Sequence, residues 1–244
     1  MKPVQMMKYV TDLLYPRRCP ICDGILERKE RTICTGCRPE LQLIRGPVCL
    51  CCGTPIRKEE EEYCFDCRRR KHLFSVCRAP FLYKGKIKDS LMRFKYLGRA
   101  EYALFYGRVM TEYGKEQGLF CRVDLIVPVP VHRQRRIERG YNQAELLAVQ
   151  IAACSGIPWD GTVIVRTRKT SALKTVSGNK RSRNLADAFA VPKGKEDLLA
   201  GKRVLLVDDI YTTGSTADAV SRKLLEAGAV SVAVVTLAVS PGYS

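Results

Sequence analysis

The chain has 244 residues, 46% hydrophobic and 27% charged, with a formal net charge of +17. That length suffices for one sizeable core plus a small additional module, and no uninterrupted apolar run approaches the roughly 20 residues of a membrane-spanning helix. A disordered chain and a helical membrane protein are therefore the classes excluded first, and the basic excess calls for an anionic partner.

Residues 1–15 are too polar for the apolar region of a signal peptide. With Val10, Leu13 and Leu14 on one side they predict a short amphipathic helix, and the protein is expected in the cytoplasm. Nine of the twelve cysteines then fall before residue 68. Eight of them repeat a pattern. Cys19-Pro-Ile-Cys22 is followed after eleven residues by Cys34-Thr-Gly-Cys37, and Cys49-Leu-Cys-Cys52 after eleven more by Cys64-Phe-Asp-Cys67. A two-residue gap lets two thiolates face one ion from a tight turn, and two such turns complete a tetrahedral four-sulfur zinc site. Disulfides fit poorly in a reducing cytosol; an iron–sulfur cluster is the lesser alternative. The spacing leaves open whether one or two zinc ions bind and whether each unit holds its own ion. It also leaves open whether the off-pattern Cys51 replaces a neighbour. Few large apolar side chains accompany these cysteines, so metal ligation is expected to supply much of the folding free energy. Cys77, Cys121 and Cys154 are expected as buried small apolar residues, His72 as a surface histidine with a metal ligand as the lesser alternative, and the acidic and basic runs at 59–62 and 68–71 as solvated turns.

A boundary is expected near residues 74–77, giving a Cys-rich module at 1–77 and a second domain at 78–244. In that domain residues 78–83 read as a strand and 87–97 and 102–113 as amphipathic helices. Residues 125–130 read as a buried strand ended by prolines. Residues 142–153 are helical in pattern, 163–165 and 188–191 are short strands, 203–207 a strongly apolar strand, 215–227 a helix and 230–237 a final strand. Apolar strands alternating with helices predict an α/β fold, a mostly parallel sheet flanked by helices.

In such sheets ligands bind beyond the C-terminal ends of strands. One strand end reads Val204-Leu-Leu-Val-Asp-Asp-Ile-Tyr-Thr-Thr-Gly-Ser-Thr216. The turn amides and the positive helix end suit a phosphate, Gly214 permits close backbone approach, and Thr212, Thr213, Ser215 and Thr216 add hydroxyls. Asp208 and Asp209 repel a phosphate, so another task is theirs: accepting hydrogen bonds from ribose hydroxyls, with Mg²⁺ nearby. The other strand end leads from Val127-Pro-Val-Pro130 into Arg133, Arg135, Arg136 and Arg139. Guanidinium groups make forked contacts with pyrophosphate, and the same arginines suit a DNA backbone. A third basic stretch, 166–183, offers Lys174, Lys180 and Arg181 as further phosphate contacts, and Tyr141 is either a base-stacking or a core residue.

The thirteen residues 204–216 closely resemble the PRPP (5-phosphoribosyl 1-pyrophosphate) motif of type I phosphoribosyltransferases. A wider pattern resembles the ComF family, ComFC type, over nearly the whole chain. It comprises the double CxxC front end, Phe94-Lys-Tyr-Leu-Gly-Arg99, Val127-Pro-Val-Pro-Val-His-Arg133, Arg139-Gly-Tyr-Asn-Gln143, Arg181-x-x-Asn184 and the 204–216 segment. The resemblance implies a double zinc ribbon fused to a phosphoribosyltransferase domain. It implies a ribose role for Asp208 and Asp209, a 5′-phosphate role for Thr212–Thr216, and a pyrophosphate role for the loop after the second strand end. It also implies a part in natural competence: helping single-stranded DNA enter beside a ComFA-type helicase, in the cytoplasm or at the inner face of the membrane through competence partners. The chain departs from the family at Thr170-Ser-Ala-Leu173, where a Thr-x-x-Gln stretch is frequent. No acceptor pocket and no catalytic residue are legible, so an active phosphoribosyltransferase of nucleotide metabolism is the alternative reading.

Overall fold

A computed structural model of the chain describes residues 16–241, except 28, 31, 57, 59 and 169–186. The amphipathic segment expected within residues 1–15 and the basic side chains Lys174, Lys180 and Arg181 lie outside the described residues.

The elements in chain order are α1 (Phe65–Arg69), β1 (Val76–Arg78), β2 (Phe81–Leu82), α2 (Gly85–Tyr96), α3 (Tyr102–Glu116), β3 (Leu125–Pro128), α4 (Arg133–Arg139) and α5 (Gln143–Ser155). There follow β4 (Val165–Arg166), β5 (Phe189–Ala190), a 3₁₀ turn (Glu196–Leu198), β6 (Arg203–Tyr211), α6 (Ser215–Glu226) and β7 (Ser231–Val239). The main sheet is parallel, with β6 and β7 at its centre, β3 beyond β6, and both β1 and β2 along the outer side of β7. β4 and β5 form a separate antiparallel pair.

Burial explains the pattern. Val204, Leu205, Leu206 and Val207 are all buried, as a central parallel strand covered on both faces requires. Their side chains alternate between two cores. Val204 and Leu206 join Val220 and Leu224 of α6, whereas Leu205 and Val207 join Leu91, Phe94, Tyr106, Met110, Leu147 and Ile151 of α2, α3 and α5.

Three expected elements take a different form. The strand expected at 78–83 is two strands, broken at Ala79-Pro80, because proline has no N–H to give the ladder. Val163 and Ile164 are core residues outside any strand, and β4 begins only at Val165. The long central strand does not stop at Val207. Pairing with β3 ends there, opposite Pro128, but pairing with β7 continues through Asp208, Ile210 and Tyr211. Asp208 and Asp209 therefore sit within β6, on a stretch that has lost one of its two neighbours.

The two Cys-rich units pack on opposite faces of the sheet. Cys19, Ile21, Ile33 and Cys37 share the core of α2 and α3, and Cys49, Cys52 and Phe74 share the core of α6. Polar contacts fix each one. Asp23 accepts from Tyr102 Oη at 2.5 Å and from Arg99 Nη2 at 3.1 Å, and Arg93 Nη2 donates to the Ile21 carbonyl at 2.7 Å. On the other face the Cys77 amide donates to the Cys51 carbonyl at 2.6 Å. Gly53 (φ 72°) lies so close that a Cβ would stand 2.7 Å from the Cys77 carbonyl oxygen. Of the three cysteines expected to be buried, only Cys77 is; Cys121 lies in the turn after α3 and Cys154 in the last turn of α5, both exposed.

Candidate ligand site and metal centres

The cysteines gather by unit. The sulfurs of Cys19, Cys22, Cys34 and Cys37 lie within 4.8 Å of one another, as do those of Cys49, Cys52, Cys64 and Cys67. None of the twelve cysteines forms a disulfide. Four sulfurs at about 2.3 Å from a tetrahedral zinc stand about 3.8 Å apart. The separations are 3.8 Å for Cys22–Cys34 and 3.6 Å for Cys52–Cys64, so the donor sets fit that ion. Crowding adds a second argument. Burial pushes the Cys37 and Cys67 thiols up, and the Cys49 hydrogen bond does the same to Cys52, while the same bond from Cys52 lowers Cys49 to about 4, so one thiol of that foursome ionises at the expense of its neighbours. Four thiolates at one point are stable only around a cation. Cys51 stands outside both foursomes, beside Cys67 and His72.

His72 is not a surface residue. Its side chain is 2% exposed. Nδ1 hydrogen-bonds Asp218 Oδ2 at 2.9 Å, and the ring stacks on Phe74 at 4.7 Å between centroids. Nor is 68–71 wholly a solvated turn, since Arg68 and Arg69 close α1 and Arg69 lies over the Phe65 ring at 5.1 Å.

β6 delivers the acids and the turn together. Asp209 Oδ2 is 2.8 Å from Lys95 Nζ, both side chains mostly buried, and the Asp209 amide donates to Asp208 Oδ1 at 2.8 Å. Burial first, then the Asp209 charge, pushes the Asp208 carboxyl up to about 7, against the pull of Lys95 and Arg166. Thr212 and Thr213 are exposed, and Thr213 Oγ1 and Ser215 Oγ are 2.9 Å apart. Gly214, with φ 72°, is the N-cap of α6 and supplies no capping side chain. In contrast, Asn142 caps α5 through the Ala144 amide at 3.1 Å. The first amides of α6 thus face the turn with no side-chain cap, next to a pair of hydroxyls.

The arginines after β3 lie on a helix rather than in a loop. His132 caps α4, accepting from the Gln134 amide at 3.3 Å. Arg136 pairs with Glu145 at 3.2 Å. Arg139 donates to Gln143 Oε1 at 3.0 Å and to Tyr96 Oη at 3.1 Å, lying over the Tyr96 ring. Those two are tied into the protein. Arg133 is exposed, and Arg135 comes near enough to Arg166 that burial and this neighbour together lower the Arg166 pKa. Tyr141 donates to the Phe94 carbonyl at 2.6 Å and packs on the Phe94 ring, a core role.

Two cations beside the acids escape a reading by sequence. Lys95 lies in an amphipathic helix, where lysine is ordinarily solvated, and the Phe94-Lys-Tyr run was its only signal. Arg166 precedes a basic run that hides it. Between the second metal centre and the turn runs a groove of about 210 Å³, lined by Thr54, Phe65, Asp66, Tyr211, Thr212 and Thr213 among others.

Residues 10–68 match the model of the double zinc ribbon domain, and residues 138–243 match that of the phosphoribosyl transferase domain. Competence protein F of Haemophilus influenzae is 29% identical, with 91% of this chain and 96% of that protein covered. Competence protein ComFC of Bacillus subtilis is 30% identical, covering 90% and 93%. The DNA utilization protein YhgH of Salmonella typhimurium is 30% identical, covering 91% and 96%.

Proposed function

The chain belongs to the ComF family, and from that premise we propose that it binds PRPP or a similar phosphoribosyl ligand, together with single-stranded DNA, in the uptake of DNA during natural transformation. One observation carries the ligand assignment. Two carboxylates on a half-unpaired stretch of β6 run straight into a glycine-capped helix start whose amides have no side-chain cap. Acceptors and donors are segregated along the nine residues 208–216, as a molecule with a diol at one end and a phosphate at the other demands.

In this reading Asp208 and Asp209 accept from the ribose hydroxyls, with Mg²⁺ nearby, and the ligand displaces Lys95 from Asp209. Thr212, Thr213, Gly214, Ser215 and Thr216 hold the 5′-phosphate through hydroxyls and backbone amides. Arg133 and Arg135, with Arg166 behind them, meet the pyrophosphate; Lys174, Lys180 and Arg181 are assigned the same anion. The exposed cations also receive the DNA backbone. Zinc is structural: the four-sulfur sites leave no open position for chemistry. The division at residue 77, into a zinc-binding unit and a phosphoribosyltransferase-like unit, and a cytoplasmic location beside a ComFA-type helicase belong to the same proposal. No helix among the described residues is long and apolar enough to cross a membrane.

Calorimetry tests the ligand. The double replacement Asp208→Ala, Asp209→Ala should abolish PRPP binding and leave zinc content intact; undiminished binding refutes the ribose assignment. Fluorescent single-stranded DNA tests the second half. Its affinity should fall with salt at a logarithmic slope of about −0.7 per phosphate contacted, and a flat response rules out backbone contacts. Pyrophosphate release above background with any of a panel of bases would convert the binding protein into an active transferase.

A further inference from the structure

The segment leaving the second metal centre passes directly against the turn that opens α6. Arg70 is the C-cap of α1, its amide bonded to the Asp66 carbonyl at 3.0 Å. α1 itself starts at Cys64 as N-cap and contains Cys67, so two ligands of one metal site order the helix that presents this arginine. The guanidinium reaches across 145 residues of sequence. Nη1 donates to Ser215 Oγ at 3.3 Å and Nη2 lies 3.3 Å from Asp218 Oδ2. Asp218 also accepts from the Leu73 amide at 2.9 Å and hydrogen-bonds His72. Below, Gly214 is pressed against the same segment: a Cβ there would meet Tyr211 Oη at 2.6 Å and His72 Cε1 at 2.8 Å.

This arrangement solves a charge problem. Asp218 stands in the first turn of α6, where a carboxylate favours the helix but repels any anion on the same amides. A guanidinium bonded to that carboxylate cancels its charge. It has five N–H donors, and the Asp218 and Ser215 contacts leave others for the turn, on a side chain still 41% exposed. The Ser215 hydroxyl that it touches is also the partner of Thr213.

We propose that Arg70, supplied by the metal-binding ribbon, is a ligand of the 5′-phosphate, so that the phosphate site is composite and incomplete without the second metal unit. The inference rests on the reading of residues 212–216 as the phosphate turn. The guanidinium swings its Ser215 hydrogen bond onto a phosphate oxygen while keeping Asp218 as its brace, and zinc loading of the second unit then sets ligand affinity.

The test uses the zinc-loaded full chain, Arg70→Gln and Arg70→Lys, each titrated with PRPP and with ribose 5-phosphate. Loss of one charge-assisted hydrogen bond should weaken both ligands in the Gln variant roughly tenfold or more. Zinc content and the urea midpoint should stay unchanged, and Lys should recover part of the loss. Equal affinity in parent and Gln variant overturns the inference alone. So does a loss that merely tracks zinc or folded fraction, since Arg70 would then be only a brace between the units. A parent chain that binds neither ligand refutes the assignment of the turn, and the inference falls with it.

Discussion

Asp208 holds its proton more tightly in the folded chain than an ordinary aspartate, because burial and the Asp209 charge disfavour its anion. In an unfolded chain the same carboxyl titrates near 3.9. Folding stability from this residue is therefore intact below about pH 4 and is lost as pH rises through about 7, the sign expected of a raised acid. Asp208→Asn removes the charge and should stabilise the ligand-free protein at pH 8 by on the order of 1–2 kcal/mol, and much less at pH 5. Thermal melts at both pH values check this, and an equal shift at both would contradict it. The acid pair itself is legible from residue type and position. Its electrostatic state is not, because Lys95 and Arg166 arrive from α2 and β4, remote in sequence.

At the scale of elements, the turn into α6 depends on one glycine. Gly214 has φ 72° and no room for a methyl group, so Gly214→Ala combines left-handed strain with a collision against Tyr211 and His72. A loss of about 2–4 kcal/mol is expected, read from urea unfolding, with PRPP binding impaired as well; a fall below about 1 kcal/mol would mean that the turn yields easily. β6 is readable in the sequence as a short continuous apolar run, and α2, α3, α5 and α6 because each buries an apolar face. α1 and α4 are not. The only large apolar residue of α4 is Ile137, 73% exposed, so there is no buried stripe to read; its ends are set by the His132 cap and the left-handed Gly140.

At the scale of the molecule, the two ribbons clasp opposite faces of one sheet and lend cysteines to both cores. Metal loss should not leave the sheet untouched. Chelation, or Cys49→Ser with Cys52→Ser, is expected to lower stability by several kcal/mol and to shift unfolding of the whole chain as one cooperative transition. Calorimetry that shows an independent transition for the ribbons, with the remainder unmoved, would argue for two autonomous units. Two zinc ions per chain are expected by metal analysis, since each unit gathers its own four sulfurs. Cys19→Ser with Cys22→Ser should remove one.

The sequence by itself determined the chemistry that is contiguous in the chain. The CxxC knuckles, the Asp208–Thr216 run and the arginines after β3 each place their groups within a few residues, where backbone geometry alone brings them together. The order of apolar strands and helices settled the fold class for the same reason, since side-chain period is a local property. What only the tertiary structure decided was every pairing across distance: which sulfurs meet, that the His72 side chain is buried, that Lys95 meets Asp209, and that Arg70 reaches Ser215. Those contacts follow from how two cores close on one sheet, and a spacing along the chain carries no record of them.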